Sequence, residues 1–207
     1  MELSNLSIVL ASKSPRRREI LSALGVPFTV VVADADESSR TTDPAALVEE
    51  LALRKGCAVR ELLREEGRFE STLVIAADTV VSIDGEILGK PKDVADAERM
   101  LRLLSGRAHQ VSSGIALLSG DRAVTAHETT EVRFAPLSDG DIARYLSSGE
   151  SMDKAGAYGV QGLASVYIEG LCGDYFNVVG LPVHRLECTL RDFLGVGLSE
   201  LAQKAEA

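Results

Sequence analysis

The sequence has no tryptophan, only 4% aromatic residues and three cysteines in 207 positions. Cys57, Cys172 and Cys188 are odd in number and far apart, so neither a disulfide framework nor a CxxC zinc or redox pair is encoded. Small buried apolar side chains are the expectation for all three. No apolar run reaches the roughly 18 residues that a membrane-spanning helix needs. The opening MELSNLSIVLASKSPRRR places its short apolar stretch before its cations, the reverse of a secretory leader, which points to a cytoplasmic protein with no membrane partner. Basic charge is scarce as well. With 22 Lys and Arg against 31 Asp and Glu, the formal net charge of -9 argues against binding duplex nucleic acid through a broad basic face. A Walker A loop, a GxSxG elbow and a GxGxxG after a strand are all missing, which removes the usual support for ATPase, triad-hydrolase and dinucleotide readings.

What is present suffices for a sizeable core: 45% hydrophobic and 26% charged residues, in a length that predicts one domain, with room for two lobes. Ser7 to Ser12 reads as a buried strand. Ser14 and Pro15 then supply an N-cap and a first-turn proline for a helix to about Leu24, stopped by Gly25. A strand is predicted over 28–33, a long helix from Asp43-Pro44 to about Arg64, and the strongest strand of the chain over 73–83, closed by an Asp84-Gly85 turn. Ala97, Met100, Leu101 and Leu104 recur at helical spacing within 94–104. Residues 110–134 read as a hairpin turned at 119–121, and 138–147 as a short capped helix. The glycine-rich stretch 156–180, interleaved with Val160, Val166, Ile168 and Phe176, predicts strands joined by tight turns. A helix over 182–193 and a short helix or frayed end from Leu198 complete the chain. Mixing βα units with hairpins predicts an α/β fold, a mixed twisted sheet flanked by helices, with a cleft between two lobes.

Residues suited to chemistry fall in separate segments. SKSPRRRE, Ser12 to Glu19, sets small residues and cations where a strand feeds a helix, whose free N–H groups and dipole favour phosphate. Ser12, Ser14, Arg16 and Arg17 are the candidates there, the arginines for their forked donors; a capped surface helix with solvated charges has the same pattern. AADT, Ala76 to Thr79, interrupts the most hydrophobic strand with an acid and a hydroxyl. A buried carboxylate must be paired, metal-bound or exposed at a strand end, so Asp78 is a candidate metal ligand, against a structural aspartate capping a loop. The run Asp34, Asp36 and Glu37 offers a second metal ligand in Glu37, or simply a solvated loop. Lys90, before the proline of GKPKD, and Lys55, beside Gly56 in the long helix, are candidate ligand contacts or ordinary surface lysines. DKAGAYGVQG, Asp153 to Gly162, joins glycines suited to close backbone approach with Tyr158 and Gln161. The Gln161 amide can both donate to and accept from the edge of uracil or thymine, or it can satisfy backbone groups in a run of tight turns. His109, His127 and His184 are scattered and read as solvated or core-satisfied.

In order, ASKSPRRREIL, AADTVV, LGKP, MLRLLSGRAHQV, SGESMDKAGAYGVQG and NVVGLP resemble the Maf (septum formation) family, from about Val9 to Pro182. The resemblance implies an elongated, inosine triphosphate pyrophosphatase-like α/β fold with a cleft, frequent homodimers, and metal-dependent release of pyrophosphate from nucleoside triphosphates. It implies Asp78 as the proton acceptor and Arg16, Thr79 and Gln161 as specificity positions. A DKAGAYGxQG segment is similar to that of the branch acting on dTTP and UTP. A pyrophosphatase for 7-methyl-GTP or another modified nucleotide is one alternative, and a nucleotide-binding regulator of cell division is another. Since an ordinary aspartate is too weak a base to activate water alone at neutral pH, the expected cofactor is Mg²⁺ or Mn²⁺, held by Asp78 and Glu37 together with the triphosphate. Arg16, Arg17, Lys55 and Lys90 are expected to neutralise the triphosphate. Two positions depart from the family pattern: Lys13, usually small or uncharged, and Gly56, usually alanine, which is expected to loosen the helix carrying Lys55.

Overall fold

The computed structural model describes residues 6–203. β1 (Ser7–Leu10) leads into α1 (Pro15–Ala23), followed by β2 (Thr29–Val30), α2 (Pro44–Glu65) and β3 (Thr72–Ile83). β1 pairs in parallel with both β2 and β3, so the chain steps outward from β1 to β2 and then back across β1 to β3. Right-handed crossovers that travel in opposite directions place their helices on opposite faces of the sheet. Accordingly, Ile20 and Leu21 of α1 join the core containing Ile8, Leu10 and Ile75, whereas Val59 and Leu63 of α2 join Val9, Val74 and Ala76 on the other face.

The remaining elements are β4 (Glu86–Leu88), α3 (Val94–Leu104), the hairpin β5 (Ala108–Ser119) and β6 (Arg122–Phe134), α4 (Asp139–Ser147), β7 (Ile168–Cys172), α5 (Tyr175–Val179), α6 (Val183–Leu194) and α7 (Leu198–Gln203). They complete a seven-stranded mixed sheet in the order β2-β1-β3-β5-β6-β7, with β4 also on β3, so the expected mixed sheet flanked by helices is present. A third core gathers Leu101 and Leu104 of α3, Ile142 of α4, Phe134 and the far end of β3 at Val81 and Ile83.

β3 is where the two halves of the sheet meet. β5 covers one of its edges from Leu73 to Ser82. The other edge is shared: β1 takes Thr72 to Ile75, and β4 takes Val81 to Ile83. Residues 76–80 therefore face no strand on that side, and Asp78 and Thr79 lie in the opening. Strand alternation sends them to opposite faces, Asp78 toward α2 and Thr79 toward α1.

α2 lies unusually close to the sheet beside this opening. Gly114 is the cross-strand partner of Asp78, and a Cβ there would overlap the carbonyl of Val48 and stand 2.6 Å from the Glu49 nitrogen. Gly56, on the same helix face, would drive a Cβ into Leu118. This glycine is thus a close-packing position rather than the loose point expected from its departure from alanine.

Several local expectations need correction. β2 is two residues long rather than spanning 28–33, because β1 ends at Leu10 and its last contribution is the Leu10 carbonyl accepting the Val31 N–H at 3.3 Å. The 156–180 stretch forms 3₁₀ turns at Ala155–Ala157 and Leu163–Tyr167, then β7 and α5, so only one of the expected strands forms. None of the cysteines is a buried hydrophobe. Cys172 is exposed on the edge strand, and Cys57 and Cys188 are half-buried with sulfurs 3.7 Å from Arg60 and His184.

Candidate active site

The opening in the β3 edge forms the floor of a cleft of about 730 Å³. Every candidate residue picked from the sequence lines it: Ser12, Ser14, Arg16, Arg17, Glu37, Lys55, Asp78, Thr79, Lys90 and Gln161. Lys13 and Lys154 bring the cations to six, against four acids, Asp34, Glu37, Asp78 and Asp153. The cleft is therefore locally positive in a chain whose formal charge is -9. Screening at physiological salt acts over about 8 Å, so a nearby anion feels this local balance rather than the total.

Lys55 arrives on the stripe of α2 that carries Val48, Leu51, Ala52 and Val59, and its stem follows that stripe toward the sheet. Its Nζ donates to Asp78 Oδ1 at 2.5 Å and stands 3.1 Å from Glu37 Oε1. One ammonium thus holds two carboxylates that come from β3 and from the loop after β2. Asp78 is only 9% exposed, and its Oδ2 has no partner among the described residues. No cluster of three or more His, Cys, Asp or Glu exists among the described residues, so the protein itself offers two hard oxygen donors here.

Arg17 approaches from the opposite face, off the first turn of α1, and is the most heavily bonded side chain in the cleft. Its Nε donates to the Gly180 carbonyl (2.7 Å), Nη1 to Ser12 Oγ (3.1 Å) and the Ala77 carbonyl (2.8 Å), and Nη2 to Thr79 Oγ1 (3.0 Å). The Ala77 carbonyl is an acceptor that the interrupted ladder leaves open, so the guanidinium substitutes for the missing strand. All four acceptors are neutral. Burial pulls the Arg17 pKa below its ordinary value, with the charge of Asp78 opposing the shift, and an arginine stays protonated regardless. Thr79 continues the chain. Its Oγ1 meets Ser113 Oγ at 2.8 Å, and Ser113 donates onward to the Asn177 carbonyl, also at 2.8 Å. A carbonyl can only accept, so the proton order is fixed: Thr79 donates to Ser113 and accepts from Arg17.

The other candidates are less committed. Ser12 Oγ accepts from both Arg17 and the Ser14 N–H (3.2 Å), which leaves its own proton to donate. Ser14 is the N-cap of α1, yet its side chain makes no cap hydrogen bond, so the first turn keeps free N–H groups. Arg16 is tied to Asp153 at 3.2 Å. Lys13, Lys90 and Gln161 are exposed. Beside Lys90, the Gly89 carbonyl accepts the Gly156 N–H at 3.1 Å, which joins the GKPK segment to the turn-rich loop bearing Gln161. Asp34 lines the cleft, whereas Asp36 turns away to the Ser38 N–H at 2.9 Å.

The family model described as Maf-like protein matches residues 7–193. The chain belongs to this family. Among curated relatives, it is 54% identical over 187 residues to the dTTP/UTP pyrophosphatase of Symbiobacterium thermophilum, covering 90% of this chain and 93% of that one. It is 46% identical to the dTTP/UTP pyrophosphatase of Bacillus cytotoxicus (89% and 94% covered) and 43% identical to that of Bacillus cereus (90% and 95%). Among solved structures, the Staphylococcus aureus Ham1 protein overlaps 62% of this chain and 72% of its own at 21% identity and a TM-score of 0.46. The resemblance expected from the motifs is thus shown, and the Maf match runs past the expected limit at Pro182 to the end of α6.

Three residues around this Maf cleft escaped the sequence reading. Ser113 and Asn177 carry the hydroxyl relay below Thr79. Asn177 is fully buried and anchors itself to the Val111 carbonyl (2.8 Å) and Thr130 Oγ1 (2.9 Å). Glu150 lies inside the SGESMDKAGAYGVQG segment but looks like any surface acid in sequence. The Ser112-Ser113 pair inside an apolar strand run and an asparagine in the otherwise apolar NVVGLP were the available signals.

Proposed function

We propose that this Maf-like protein hydrolyses dTTP and UTP to the nucleoside monophosphate and pyrophosphate. The observation that carries the reading is the placement of Asp78 in the ladder opening, 2.5 Å from Lys55, at the floor of a cleft richer in cations than in acids. The dTTP/UTP pyrophosphatases to which the chain is 43–54% identical supply the substrate pair.

In this reading the water oxygen forms a bond to the α-phosphorus, the bond from that phosphorus to the α–β bridging oxygen breaks, and pyrophosphate departs with the electron pair. The water proton passes to the Asp78 carboxylate. Arg16, Lys90 and the free N–H groups of α1 bind the triphosphate oxygens, while Arg17 supplies positive field from the floor without an ion pair that must first break. Asp78 and Glu37 are the residues that would hold Mg²⁺ or Mn²⁺. Two carboxylates, one with an open oxygen, suit a hard cation that completes its coordination with water and substrate phosphate. When bound, such a cation acidifies the attacking water and neutralises phosphate charge. Gln161, at the cleft wall with its amide unpaired among the described residues, reads the carbonyl and N–H edge that uracil and thymine share.

Pyrophosphate release with Mg²⁺ or Mn²⁺, measured across canonical and modified nucleoside triphosphates, tests the proposal: dTTP and UTP should lead. Asp78→Asn should lower turnover by about 10³-fold while circular dichroism stays native, since Lys55 keeps Glu37 as a partner. Normal turnover in that variant removes Asp78 from its role.

A further inference from the structure

A glutamine amide reads two opposite patterns equally well, because a half-turn of its terminal bond exchanges donor and acceptor. Uracil and thymine offer an N–H beside a carbonyl, and cytosine offers a ring nitrogen acceptor beside an amino donor. Gln161 is exposed and its amide has no side-chain partner among the described residues, so on its own it discriminates poorly between them. Backbone groups cannot rotate in this way. Gln161 sits in a turn closed by the Gly162 N–H to the Gly159 carbonyl at 3.2 Å, and the peptide groups of Val160 and Gln161 make no hydrogen bond among the described residues. The turn therefore presents fixed donors and acceptors to the cleft, provided something outside it holds it still.

That brace comes from the end of α4. Gly149, at φ 75°, ends the helix and turns the chain back, and the Glu150 carboxylate then lies flat against Gly162 and accepts the Leu163 N–H at Oε2 (3.0 Å). Any side chain at Gly162 would collide with that carboxylate. At the other end of the turn, Tyr145 Oη accepts the Gly159 N–H at 3.3 Å. Lys154 adds a strap: its Nζ donates to the Glu150 carbonyl (2.5 Å) and to Asp153 (2.7 Å), and its stem runs so close to Gly159 that a Cβ there would stand 2.6 Å from Cε. Tyr145 belongs to the α3–α4 core, so the turn is braced from that core rather than from the cleft floor.

We infer that Glu150 is a positioning residue for base selection, acting through the Gly159–Gly162 turn rather than by touching the nucleotide. This rests on the reading that Gln161 and its turn face the base. The test measures kcat and KM of the full-length enzyme with Mg²⁺ for dTTP and dCTP, for the wild type, Glu150→Ala, Glu150→Gln, Tyr145→Phe and Gln161→Ala. Glu150→Ala should reduce the dTTP-over-dCTP preference in kcat/KM at least tenfold, through a raised KM for dTTP with kcat within about twofold. Glu150→Gln keeps an oxygen acceptor for Leu163 and should stay within about threefold of wild type. If Glu150→Ala does not fold, Tyr145→Phe, which removes the other brace and keeps the ring, should show the same loss of preference. Equal losses for both nucleotides, a fall in kcat at constant KM, or a Glu150→Gln variant as damaged as Glu150→Ala would overturn the inference. A Gln161→Ala enzyme with unchanged KM for both nucleotides would instead defeat the underlying base-contact reading. Loss of preference in Gln161→Ala alone, with both brace variants normal, would defeat this inference only.

Discussion

His109 should give the fold a measurable sensitivity to mild acid. It lies on β5 at 3% exposure, with Nε2 2.8 Å from the Tyr158 hydroxyl and the rings of Phe134 and Tyr158 edge-on at 5.2 and 5.4 Å. Burial pushes its pKa down from 6.5 to about 4. The folded value is below the unfolded one, so between these pH values the unfolded chain binds the extra proton and stability falls as pH falls. At 1.36 kcal/mol per pH unit, the loss is about 2 kcal/mol by pH 5 and about 3 kcal/mol once pH is below 4. In a chain of this size 2 kcal/mol corresponds to roughly 4–8 °C in melting temperature. Thermal melts of wild type and His109→Gln from pH 7.5 to 5 isolate the effect, because carboxylates with depressed pKa, such as Asp96 and Asp141, titrate in both proteins. The variant should have the flatter profile. Parallel profiles would show that His109 is not the group whose protonation opposes folding. Because Tyr158 also belongs to the cleft wall, the same transition should loosen the site as the fold weakens.

Two further outcomes follow from the packing around the cleft. Gly114→Ala should cost about 3 kcal/mol in urea unfolding, since the added carbon meets helix backbone, whereas Gly56→Ala should lie within about 1 kcal/mol of wild type, because the obstructing Leu118 methyl can rotate and alanine favours the helix; the reverse order would refute the close-approach account. Arg17→Lys should lose about 2 kcal/mol of stability and at least tenfold in kcat/KM, because one ammonium cannot reach Ser12, Ala77, Thr79 and Gly180 together; a lysine variant with normal kinetics and melting would reduce the bracket to a surface contact.

Much of the scaffold was readable because its signals are local. The helical spacing of Ala97, Met100, Leu101 and Leu104 fixes α3 at Val94–Leu104, and Ser138 with Asp141 forms the capping box that starts α4. The Asp84-Gly85 pair, with φ of 51° and 81°, makes the turn into β4. What stayed hidden depends on partners distant in sequence. The length of β2 is set by where β1 stops, and the fate of residues 156–180 is set by turn glycines and by burial of Tyr158 and Ala164 in the α3–α4 core. Within the cleft, the residue types were legible but their commitments were not. Arg16 and Arg17 look alike in SKSPRRRE, yet one pairs with an exposed acid and the other is consumed by four neutral acceptors. Lys55 and Asp78 lie 23 residues apart and meet because the crossover helix α2 packs on the sheet face to which Asp78 points.

The opening at residues 76–80 of β3 also bears on solubility. Sheet margins invite other chains to add on, and proteins ordinarily guard them with charge, proline or a covering element. Here the interrupted edge lies in the middle of the sheet, over too few residues for a foreign strand to dock, with β1 and β4 closing both ends and Arg17 already on the Ala77 carbonyl. The chain thereby gains the accessibility of a margin for its chemistry, keeps the stiffness of a central strand through β5, and offers little foothold for aggregation.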